Sequence, residues 1–138
     1  MVEQATADGV HTGRCECGGV RYRVEGPLRD VYNCHCHRCR RITGHHMAAT
    51  AAPRDRVTLL AQDALRWWEP DETVGYGFCG TCGSTLFWRA QSSPDLLRIA
   101  AGTLDPPTGL RTTKAVWVAE ASDYHQRPAG VHELDHDS

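Results

Sequence analysis

Seven cysteines in a chain of 138 residues constrain this sequence more than any other feature. They are Cys15, Cys17, Cys34, Cys36, Cys39, Cys79 and Cys82. An odd number cannot pair off completely within one chain. The first nine residues carry Glu3 and Asp8 and no apolar stretch, so no secretion signal is read there. The expected location is therefore the cytoplasm, a reducing compartment where clustered thiols hold metal more often than they form disulfides.

The spacing divides the seven into four and three. Residues two apart in an extended segment point to one side, so Cys15 and Cys17 can grip one ion. Cys79-Gly80-Thr81-Cys82 has the spacing of a tight metal-binding turn, with Gly80 and Gly83 supplying the backbone freedom. Each pair fills half of a tetrahedron, so together they close a four-thiolate site that leaves no place for a substrate and is read as structural. All-sulfur tetrahedral coordination favours zinc, with iron as the competitor.

Cys34, Cys36 and Cys39 offer three thiolates and no obvious fourth. Spacing alone leaves two arrangements open, a reactive zinc with a vacant position or a shell closed by a nearby histidine. His35 and His37 alternate with Cys34 and Cys36 and should face away from the metal, which makes His45 and His46 the better-placed histidines.

The rest of the chain reads as one mainly β domain. A hydrophobic content of 41% and a formal charge of −2 belong to ordinary globular protein. That charge excludes a binder driven by phosphate neutralisation, and no apolar run approaches the ~18 residues of a membrane span. Val20, Tyr22 and Val24 alternate with Arg21 and Arg23, and Val74, Tyr76 and Phe78 alternate with Gly75 and Gly77, both in the manner of strands. The short apolar runs 96–101 and 115–119 read as strands covered on both sides. Residues 38–43 allow one helical turn ended by Gly44. The expected division is a loose tail at 1–10, a zinc-binding domain at 11–134 and a second tail at 135–138.

Four segments together resemble a known family: residues 13–18 (GRCECG), 33–44 (NCHCHRCRRITG), 78–87 (FCGTCGSTLF) and 102–105 (GTLD). The order and spacing are similar to the glutathione-dependent formaldehyde-activating enzymes, a family that also includes centromere protein V. The resemblance runs from about residue 11 to 134. It implies a β-tent fold of small antiparallel sheets and two zinc ions per chain. Cys15, Cys17, Cys79 and Cys82 then match a structural zinc site, and Cys34, Cys36 and Cys39 a second, reactive one. The implied activity is that of a carbon–sulfur lyase resembling S-(hydroxymethyl)glutathione synthase, which joins or releases an aldehyde and a thiol such as formaldehyde and glutathione. The rivals are a non-catalytic zinc-stabilised binding module and a redox or metal-buffering thiol protein. The tail segment 122–125 is like the family's end segment, but Val131-His132 stands where the family has Leu-Pro.

Other residues carry plainer readings. Arg38, Arg40 and Arg41 balance thiolate charge more readily than they capture a ligand's carboxylates. Trp67, Trp68 and Trp88 read as packing and Asp105 as a turn-former. Thr43 and Ser84 show no base partner, and His125, His132 and His136 are read as solvating the tail.

Overall fold

The computed structural model describes residues 8–137. The start of the expected first tail, residues 1–7, lies outside the described residues, as does Ser138. Two sheets form. The smaller joins β1 (Val10–Arg14), β2 (Arg21–Glu25) and β5 (Val57–Ala61) in the order β1-β2-β5. The larger contains β3 (Val31–Cys34), β4 (Met47–Pro53), β6 (Leu65–Trp68), β7 (Val74–Cys79), β8 (Thr85–Ala90), β9 (Leu96–Ala100), β10 (Thr112–Val116) and the two-residue β11 (His132–Glu133). Its order is β11-β10-β3-β4-β9-β8-β7-β6. The mainly β, single-domain expectation holds. Most pairings are antiparallel, whereas β10 runs parallel to both β3 and β11.

Period-two patterning builds the smaller sheet. Tyr22 and Val24 of β2 are fully buried while Arg21, Arg23 and Glu25 face outward. They meet Leu86, Phe87, Leu97, Ile99 and Ala52 of the larger sheet in the main core, which Cys15 and Cys79 also join. Tyr22 and Phe87 pack edge to face with centroids 5.3 Å apart, and the Tyr22 hydroxyl is 2.7 Å from Thr103 Oγ1. A second, smaller cluster gathers Cys39, Met47, Ala49 and Tyr76, with Cys34, Cys36, Ile42, Val74 and Trp88 around it. Neighbouring residues of β8 divide between the two clusters, Phe87 in the first and Trp88 in the second.

Some local expectations are corrected. The run 96–101 contains Arg98, and β9 buries only Leu97 and Ile99, so it is not covered on both sides throughout. The run 115–119 is not one strand: β10 ends at Val116, Trp117 takes a left-handed φ of 57°, and Val118–Glu120 form a 3-10 turn. The helical turn at 38–43 is a seven-residue helix, α1 (His37–Thr43), packed on β4 and ended by left-handed Gly44. The closing segment expected to be loose is tied down, since Ala119 N–H donates to the Asp135 carbonyl and Trp117 N–H to that of His136. Among the described residues no helix is long and apolar enough to cross a membrane.

Candidate metal centres

The four-and-three division reappears in space. The sulfurs of Cys15, Cys17, Cys79 and Cys82 all lie within 4.8 Å of one another, as do those of Cys34, Cys36 and Cys39. All seven thiols are free. Cys15 and Cys17 Sγ are 3.7 Å apart, and so are Cys17 and Cys79 Sγ. That is far beyond the ~2.05 Å of a disulfide. It agrees with the about 3.8 Å edge of a tetrahedron whose metal–sulfur bonds are about 2.3 Å, so the donor set fits a zinc ion.

Local backbone shapes the quartet. Cys15 and Cys17 do not extend β1, as the spacing suggested; they sit in the turn that follows it, where Val20 N–H donates to Cys15 Sγ at 3.3 Å and Gly19 N–H to Cys17 Sγ at 3.4 Å. The β7–β8 turn is built alike, with Thr81 and Cys82 N–H both 3.4 Å from Cys79 Sγ. Gly83 holds a φ of 82°, and Gly80 is needed for a different reason: a Cβ there would stand 2.9 Å from Arg66 Cγ. Ser84 Oγ accepts from Glu16 N–H and lies 3.1 Å from Cys82 Sγ, so it ties the two turns together. The N–H groups of Cys82 and Thr81 hold the Cys79 thiol below its usual range, and the Ser84 hydroxyl brings that of Cys82 down to about 5. Amide donors aimed at sulfur favour thiolates, the form that binds metal.

The trio is carried by the end of β3 and the start of α1. Cys34 closes the strand, Cys36 is the N-cap of the helix, and Cys39 lies in its first turn and donates its N–H to Cys36 Sγ at 3.3 Å. Hydrogen bonds from Cys34 and Cys39 hold the Cys36 thiol far below its ordinary range. Sharing that charge pushes Cys34 and Cys39 up, and burial adds to the effect. The buried Tyr76, read from sequence only as a strand residue, places its hydroxyl 3.9 Å from Cys39 Sγ. Burial keeps that phenol protonated, with the neighbouring Cys39 charge as a second cause.

The histidines arrange themselves otherwise than expected. His45 and His46 do not join the trio; their ring nitrogens group with those of His125, all within 4.8 Å. His125 therefore does not merely solvate a tail, and His136 packs against Trp117 at 5.1 Å. His35 does face away from the cysteines, buried 4.9 Å from the His46 ring. His37 is exposed, its N–H and ring both held by Glu120 Oε1 at 2.7 and 3.2 Å. Asp105 accepts from Thr12 Oγ1 at 2.7 Å and so ties down β1. Trp67 packs on Phe87 under the Arg89 guanidinium, as a packing role requires. Two surface grooves of about 480 and about 180 Å³, lined around Arg54 and Pro94, contain none of the cysteines.

This constellation of thiols on a two-sheet scaffold defines a cysteine-rich, mainly β class of protein. The sequence model of the glutathione-dependent formaldehyde-activating enzymes matches residues 10–120, and the chain belongs to that family. A Halomonas elongata protein named provisionally for the same family is 32% identical over 101 residues, a match spanning 67% of this chain and 64% of that protein. The fold is similar to the crystal structure of a Rhodobacter sphaeroides protein, with a TM-score of 0.61 at 25% identity over 74% of this chain and 99% of the other.

Proposed function

We propose that residues 11–134 form a zinc-dependent enzyme of the carbon–sulfur lyase type, which joins or releases an aldehyde and a thiol such as formaldehyde and glutathione. Cys15, Cys17, Cys79 and Cys82 would hold a structural zinc, and Cys34, Cys36 and Cys39 a second, reactive one. The observation that carries the reading is the different setting of the two sulfur groups. Cys15 and Cys79 belong to the main core, whereas the trio lies in the separate cluster under α1. Among the described residues, its sulfurs form a group of three with no histidine or carboxylate as a fourth member. Family membership and the name of the Halomonas elongata relative support the substrate class.

Zinc bound by three thiolates and carrying a net negative charge supplies a soft site that lowers the pKa of an incoming thiol rather than polarising a carbonyl. The reaction is an addition without redox change. A carbon–sulfur bond forms, the thiol loses its proton and the carbonyl oxygen gains one. The chain's own residues prepare the place. Met47, Ala49, Val74 and Trp88 exclude water from one side. The protonated Tyr76 hydroxyl can donate to sulfur. Arg38 lies within the trio and Arg40 and Arg41 follow it on α1, and Arg40 has a buried Nε without a hydrogen-bond partner. Their positive charge suits a substrate that carries carboxylates.

The test is the exchange rate between formaldehyde plus glutathione and their adduct, read by carbon-13 NMR with and without the zinc-loaded protein. Acceleration is expected from the natural chain and not from Cys36→Ser. Equal rates with and without a protein whose trio is loaded would refute the proposal.

A further inference from the structure

Beyond the seven thiols, the structure holds a second kind of donor cluster. His45 and His46 follow α1 directly, and His125 comes from the segment after β10. The ring centroids of His45 lie 4.3 Å from His46 and 4.4 Å from His125, and those of His46 and His125 are 5.4 Å apart. One nitrogen from each ring lies within 4.8 Å of the other two. We infer that His45, His46 and His125 form a third metal site, an all-imidazole one for a borderline transition-metal dication such as zinc, distinct from both sulfur sites.

Three observations support this. The first is that three side chains from two distant segments converge their metal-ligating atoms. Zinc–nitrogen bonds of about 2.0–2.1 Å require nitrogens about 3.4 Å apart, so the three rings, now within 4.8 Å, would draw together around the ion. The second is an outer partner. Tyr124 Oη lies 3.0 Å from His45 Nδ1 and also reaches the Gly44 carbonyl at 3.4 Å. A phenol on one ring nitrogen fixes the imidazole and leaves Nε2 for the metal, the usual way in which a ligating histidine is oriented. The third is an unmet bonding need. His46 Nδ1 is buried with no hydrogen-bond partner, and so is Nε2 of His35, which packs against His46. Buried polar atoms in native proteins are satisfied, and a cation or its bound water would satisfy these.

Each imidazole would ligate in its neutral form. A dication on three neutral imidazoles keeps its full charge, unlike one held by thiolates, and has an open position. The site would therefore take water or a small anion as its further ligand.

Cadmium-113 NMR of the cadmium-loaded full chain tests this, because shielding separates sulfur from nitrogen coordination. Two sulfur-site signals and a third in the nitrogen region are expected, the third present at micromolar free metal. His125→Ala should remove the third signal alone, and His45→Ala serves the same purpose should the first variant fail to fold by circular dichroism. Zinc content should fall from three to two ions per chain in either variant. Absence of the third signal, its appearance only at millimolar metal, or its survival in both variants would overturn the inference. Loss of the trio's sulfur signal with the nitrogen signal intact would count against the proposed function and leave this site standing.

Discussion

Replacing Cys79 and Cys36 by serine in parallel asks whether the two sulfur groups do different work. Cys79 is fully buried in the main core, and its sulfur receives two backbone N–H bonds. Structural zinc contributes about 10–16 kcal/mol in small zinc-folded peptides, or about 2.5–4 kcal/mol per ligand if shared evenly among four. Total domain stability is only about 5–15 kcal/mol, so Cys79→Ser should remove a large part of it. At about 3–5 °C per kcal/mol for a chain of this size, the Tm should fall by about 8–20 °C. Cys36 is half-buried in the smaller cluster, and its structural task is to cap α1 by accepting the Cys39 N–H. Serine is among the best residues for that task. Cys36→Ser should therefore cost about 1 kcal/mol or less while removing one metal ion per chain. Urea denaturation followed by circular dichroism, paired with zinc content, measures both. Equal losses, an unfolded Cys36→Ser, or a Cys79→Ser chain that melts where the natural one does would refute the division of labour.

Other outcomes follow from single contacts. Tyr22→Phe removes the hydroxyl that pairs with Thr103 inside the core and should cost about 1–2 kcal/mol by thermal denaturation; an unchanged Tm would show that the bond contributes nothing net. Ile99→Ala, at a position with no exposed surface, should cost about 2–5 kcal/mol by the same measurement, and a loss below about 1 kcal/mol would mean the main core is misplaced. Glu120 is depressed below the usual carboxylate range, first by the His37 backbone N–H and then by its ring. Its hold on the start of α1 is therefore complete above the ordinary carboxylate pKa of about 4.3 and fades as pH falls through the lowered value. An NMR titration of the Glu120 carboxyl should find its midpoint below that ordinary value, and a midpoint at or above it would refute the contact.

What the sequence reveals and what it hides follow from how each feature is built. The Cys79–Cys82 turn is a local object, made by neighbouring residues whose amides turn back on a sulfur, so spacing alone exposes it; the spacing of Cys15 and Cys17 exposes the pair but suggests an extended segment where a turn forms. Strands with polar–apolar alternation, such as β2, are legible for the same reason. β4 is not, because its sequence MAATAAP has little intrinsic strand preference and becomes a strand through burial between β3 and β9. The fate of His45 and His46 is hidden more deeply. Spacing points them at the nearby cysteines, but their partner His125 is some 80 positions further on and is delivered by tertiary structure. Parallel pairing sets Val116 beside Cys34, and His35 N–H bonds the Val116 carbonyl at 3.0 Å. From that fixed point the left-handed Trp117 redirects the chain over α1, where Glu120 meets His37 at one end and Tyr124 meets Gly44 and His45 at the other. Parallel pairing has no hairpin turn to announce it, since its strands need a long crossover. The same register that frames the trio thus also assembles the imidazole cluster, so disrupting the Glu120 and Tyr124 contacts together should loosen His125 while leaving the cysteine quartet intact.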